Sequence, residues 1–160
     1  MKLSDILNVN NIVVPIQAHE RDLSIQELLN KLVDNGTLTA SSKLLEYIEN
    51  IENHQSTAVG KGVAYPHSIS IEVENLEAIL GVSVKGIDYS APDGQLCHFI
   101  LLTLAPLDNP KKHRKFITLF RTMIDNAKIR TMILDANNNT NVYNIIQDWE
   151  LEQIYSDDLE

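Results

Sequence analysis

The run His98-Phe99-Ile100-Leu101-Leu102-Thr103-Leu104-Ala105 is apolar on both of its alternating faces and stops at Pro106. A strand sends successive side chains to opposite sides, so this run must be covered from above and below. That requirement puts it mid-sheet, and the rest of the chain supplies the covering helices. Over 24–35, Ile25, Leu28, Leu29, Leu32 and Val33 recur on one helical face; Ser24 and Glu27 form a capping-box pattern, and Gly36 is placed to end the helix. A second amphipathic helix is predicted over 40–53, with Leu44, Leu45, Ile48 and Ile51 inward and Glu46, Glu49 and Glu52 on its polar face. Asn109 and Pro110 mark a further helix start, and that helix runs to residue 126. Helices are also expected over 127–134 and 141–150. Residues 12–14, stopped by Pro15, read as an edge strand, and 78–84 read as a buried one. The expected fold is α/β, a three-layer α/β/α sandwich with a mixed central sheet. It is expected as a single domain over 1–150, followed by a mobile acidic tail over 151–160.

Charge and cysteine content narrow the function. The 160 residues carry a formal charge of −9, which repels a phosphate backbone and excludes a general nucleic-acid binder. Cys97 is the single cysteine, so no intramolecular disulfide forms and no Cys-based metal site of the usual kind is available. No pair among the five histidines has the spacing of a helical zinc motif. No run approaches the roughly 18 to 20 apolar residues of a membrane span, and the first residues lack a signal-peptide core. A cytoplasmic protein without metal or cofactor is expected.

The chemistry concentrates in the stretch 56–68. Gly60-Lys61-Gly62 forms a turn whose N–H groups suit an anion, and residues 63–65 make a brief strand that Pro66 terminates. His67 is thereby delivered, exposed, at a strand end. His19, His54 and His98 read as structural. His113 sits in the first turn of its helix within Lys111-Lys112-His113-Arg114-Lys115. Cations there oppose the helix dipole by about 0.3–1 kcal/mol each, which fits either a solvated basic face or an anion present during the working cycle. With no nucleophile elbow and no nucleotide loop, the chemistry left is a nucleophilic histidine carrying a phosphoryl group.

The segment Ser56-Thr57-Ala58-Val59-Gly60-Lys61-Gly62-Val63-Ala64-Tyr65-Pro66-His67 resembles the Ser-Thr-Gly-Ile-Gly-x-Gly-x-Ala-x-Pro-His signature of enzyme IIA, mannitol/fructose type, from the bacterial phosphoenolpyruvate-dependent sugar phosphotransferase system. The resemblance extends from Leu3 to Trp149, includes the hairpin segment 86–94, and in layout is closest to the stand-alone nitrogen-regulatory branch. It implies that His67 accepts phosphate on Nε2 from the phosphocarrier HPr or a paralogue and passes it to enzyme IIB. It also implies that His113 hydrogen-bonds the site; Thr57, Gly60, Lys61 and Gly62 are expected as lesser phosphate contacts. Three positions depart from the pattern: Ile51 stands where arginine is usual, Ala58 where glycine is, and Ser68 where glycine commonly follows the histidine. Lys61 or a residue of the 111–115 cluster is expected to supply part of the missing charge. Three readings stay open: a phosphoryl carrier, a regulatory protein whose phosphorylation toggles binding to a transporter, kinase or transcription factor, and an unphosphorylated relative.

Overall fold

A computed structural model describes residues 1–159. At its centre is β6 (Cys97–Ala105), with Ile100, Leu101 and Leu102 fully buried. The six strands also include β1 (Ile12–Val13), β2 (Ala58–Gly60), β3 (Val63–Ala64), β4 (His67–Ile69) and β5 (Glu77–Ile87). The sheet runs in the order β1-β5-β6-β3-β2. Strand β5 is antiparallel to β6, while β3 and β4 both run parallel to it, one after the other. The sheet is therefore mixed, as expected.

Helices close both faces. Leu28, Leu29 and Leu32 of α2 (Arg21–Asp34) and Ile48 of α3 (Ser42–His54) pack with Ile79, Ile100 and Leu102. On the opposite face Leu80, Phe99 and Leu101 meet Phe116 and Phe120 of α4 (Pro110–Ile124), Ile133 of α5 (Ala127–Asp135) and Ile146 of α6 (Asn139–Asp157). A short α1 (Leu3–Ile6) joins this second layer through Leu3. Truncating a ring as buried as Phe120 costs about 3–5 kcal/mol.

Several boundaries differ from the sequence expectation. Helix α2 starts at Arg21, so Ser24 lies inside it and caps nothing. The Ser24 hydroxyl is buried against Tyr89 Oη at 2.7 Å, and Glu27 instead accepts the backbone N–H groups of Gln17 and Ala18. Gly36 does end the helix: at φ +80° its N–H reaches the Val33 carbonyl while that of Thr37 reaches Leu32. Helix α6 continues to Asp157, so most of the expected tail is helical, and Glu160 lies outside the described residues. No helix among the described residues is long and apolar enough to cross a membrane.

Candidate functional site

The site is assembled on β6. Pro66 donates no N–H, so β3 stops before it, yet the chain resumes its pairing with β6 at once: the Thr103 N–H donates to the Pro66 carbonyl, and His67 lies opposite Thr103 in β4. His67 thus opens a strand instead of closing one. Its exposed ring places Nδ1 3.0 Å from the Tyr65 carbonyl oxygen. A carbonyl only accepts, so Nδ1 carries the proton and Nε2 keeps its lone pair.

His113 comes from the first turn of α4, which Asn109 caps by accepting the Lys112 N–H, with Pro110 opening the helix. It is half-buried, and its Nε2 lies 2.8 Å from Thr103 Oγ1. One residue of β6 therefore registers one histidine and anchors the other. The two ring centroids are 6.1 Å apart, tilted by 49°. Burial first, and then the neighbouring His67, push the His113 imidazole below its ordinary value of 6.5.

Between these rings, the start of β2 and α4 lies an open cavity of about 680 Å³. Its lining includes Ile51, Thr57 and Tyr65 and, from α4, Arg114, Ile117 and Arg121. Ile51, at the position where the resemblance leads one to expect an arginine, adds an apolar surface. Arg114 belongs to the 111–115 cluster named from sequence. Arg121 does not, although the spacing 113, 117, 121 marks a single helix face.

The remaining sequence candidates fall in two places. Thr57 lines the histidine cavity, but its hydroxyl is engaged: it donates to Glu52 and accepts the Tyr65 N–H at 3.2 Å. Glu52, expected on a polar face, is 4% exposed and also takes the Thr57 N–H at 3.1 Å. This carboxylate fixes the segment that carries His67, and sequence reasoning missed it. Gly60, Lys61 and Gly62 are not in the lining of the histidine cavity; Lys61 and Gly62 face a separate one beside His98 and Arg130. The expected anion-holding turn is a tight hairpin with φ of +58° at Lys61 and +76° at Gly62. The Lys61 N–H donates to Asp93 at 3.1 Å, and its ammonium lies 3.4 Å from Asp125. A carboxylate has already taken the place of the anion. His98 is held by the Ser83 carbonyl at 2.8 Å, in keeping with a structural role.

Known proteins resemble this chain along most of its length. A family model described as "Phosphoenolpyruvate-dependent sugar phosphotransferase system, EIIA 2" matches residues 5–149. The fructose-specific EIIABC component of Bacillus subtilis strain 168 is 29% identical over 146 residues, covering 91% of this chain and 23% of that protein. The chain thus spans under a quarter of that relative's length. A nitrogen regulatory protein of Escherichia coli K12 is 28% identical over 155 residues, covering 94% of this chain and 92% of the relative. Among solved structures, nitrogen regulatory protein IIA-Ntr from Neisseria meningitidis superposes with a TM-score of 0.81 at 21% identity, covering 90% and 98% of the two chains.

Proposed function

Because the chain belongs to the EIIA 2 family of the phosphoenolpyruvate-dependent sugar phosphotransferase system, we propose that it is a cytoplasmic phosphoryl carrier with His67 as the phosphorylated residue. The observation that carries this reading is the free Nε2 of an exposed His67, its other nitrogen tied to the Tyr65 carbonyl and His113 facing it. The lone pair of Nε2 attacks phosphorus on the phosphohistidine of a carrier protein of the HPr type. A new N–P bond forms as the donor's N–P bond breaks, and the bonding pair returns to the donor ring. The positive charge arising on His67 is shared with the Tyr65 carbonyl through Nδ1–H. His113, held at Nε2 by Thr103, turns its other ring nitrogen to the phosphoryl oxygens. Passage to enzyme IIB reverses these steps. Residues 1–150 constitute the EIIA unit in this reading.

Thr57 acts through the backbone it fixes. Gly60, Lys61 and Gly62 shape the hairpin, and Arg114 is the member of the basic cluster that lines the cavity.

A second reading is favoured by the near-complete, end-to-end match to a nitrogen regulatory protein. Two charges gained at His67 then control docking of a regulatory partner on this face. The test is incubation of the full chain with phosphoenolpyruvate, enzyme I and HPr. Acid-labile phosphate that vanishes in His67→Ala supports the carrier chemistry, and no label at all refutes it. Onward transfer to an enzyme IIB favours transport; a label that stays and alters partner binding favours regulation.

A further inference from the structure

A phosphoryl group on His67 brings close to two negative charges into the cavity. Apart from the histidines, the cations lining it are Arg114 and Arg121, both from α4. Arg114 is shared with an adjoining groove that also holds Lys111 and Lys115, so it sits among other cations. Arg121 stands two turns beyond His113 on the same helix face. Arg121 is exposed on α4 and lines the same cavity as the two imidazoles, and side chains on a helix lean as a rule toward its N-terminus, the end that carries His113. Asp125, one turn further on and within helical pairing range, is engaged by Lys61 at 3.4 Å. Among the described residues, Arg121 has no acidic partner within 4.0 Å.

A second observation points to the same spot. Tyr65 lines this cavity at 8% exposure, its ring edge-on to Phe120 with centroids 6.1 Å apart. Its hydroxyl is buried with no hydrogen-bond partner among the described residues. Burial raises the phenol above its usual range and keeps it protonated, and Arg121 and Asp125 are the charges that act on it. A buried hydroxyl left unpaired lowers stability, so a group that turns into the cavity and donates to it regains that cost. A guanidinium only donates, whereas a tyrosine hydroxyl also accepts.

We propose that Arg121 is the cation that neutralises the phosphoryl group on His67. Tyr65 is its positioning residue, accepting a hydrogen bond from the guanidinium when it turns inward. The assignment rests on the reading of His67 given above and adds residues that the signature segment does not assign. Charge that the resemblance leads one to expect at position 51, near the end of α3, comes here from α4.

The test uses phosphoramidate, a small chemical phosphodonor, on the purified full chain, so that docking of a protein donor plays no part. Phosphohistidine formation and hydrolysis are followed by phosphorus NMR in wild type, Arg121→Gln, Arg121→Lys and Tyr65→Phe. Arg121→Gln is expected to slow formation and shorten the phosphohistidine lifetime by about tenfold to a hundredfold, and Arg121→Lys to restore part of both. Tyr65→Phe is expected to slow formation by about threefold to tenfold, with a melting temperature no lower than wild type before phosphorylation. Equal rates in Arg121→Gln and wild type, both labelled on His67, overturn the Arg121 assignment and leave the carrier reading standing. A wild-type rate in Tyr65→Phe removes the tyrosine from it. A wild-type chain that takes phosphate from neither phosphoramidate nor the carrier overturns the underlying reading instead.

Discussion

His67 and His113 face each other across one cavity and each is held by one oxygen, but the oxygens differ in kind. His67 is tied to a backbone carbonyl, which accepts and never donates. His113 is tied to the Thr103 hydroxyl, which does either. The carbonyl fixes the His67 proton on Nδ1 and leaves Nε2 free, as the proposed phosphoryl transfer requires. The hydroxyl lets His113 take up or release a proton without losing its anchor. A nucleophile needs a fixed tautomer, whereas a neighbour that answers a changing charge needs a reversible one. The fold supplies each with the partner that suits it.

The contrast can be broken most severely at His113 itself. His113→Ala is expected to slow phosphohistidine formation by about a hundredfold while leaving His67 as the labelled residue, measured with enzyme I and HPr. Thr103→Val keeps both rings but removes the adaptable oxygen. A fall of about tenfold in the same assay is expected, with a loss of about 1 kcal/mol in denaturant unfolding.

A third, smaller effect is pH dependence. The folded chain holds His113 below 6.5, so the unfolded chain binds the proton more readily. Stability is therefore complete above that value and declines as pH falls through it toward the lower folded value. Thermal melts across this range are expected to show the decline in wild type and less of it in His113→Asn. Phosphorylation of His67 is expected to reverse the shift, seen as an upward-moving His113 titration by NMR. Lys61 provides the control with the smallest effect. Its ammonium pairs with the exposed carboxylate of Asp125, away from both rings, so Lys61→Ala is expected to change stability in denaturant unfolding by at most about 0.5 kcal/mol.

Patterns complete within a few residues were legible in the sequence. The doubly apolar β6, the Pro110 helix start, the exposed His67 and a turn at Gly60-Lys61-Gly62 all follow from local rules. What that turn binds did not follow, because Asp93 and Asp125 approach from elsewhere in the chain. Glu52 looked like one more solvated acid on α3, and only the return of Thr57 over it makes it a buried acceptor. Ser24 and Glu27 matched a capping box because spacing alone cannot tell a capping oxygen from one satisfied by Tyr89 or by the preceding loop. The tail was read as mobile from its acidity, although Leu151, Ile154 and Tyr155 continue a helical rhythm that α6 follows. Arg121 was hidden for a different reason: its relation to His67 exists only once α4 lies across the sheet.

The placement of Thr103 also governs how the site comes apart. This residue is 1% exposed on the central strand, and β6 is paired along its length by β5 on one side and by β3 and β4 on the other. Such strands are the last to open, whereas the first turn of a surface helix frays readily. His113 rides on that first turn and His67 on a strand paired to the centre. Fluctuations of the native protein will therefore withdraw His113 while His67 stays in register, so a transient lapse of the pair costs the chain no refolding of its sheet.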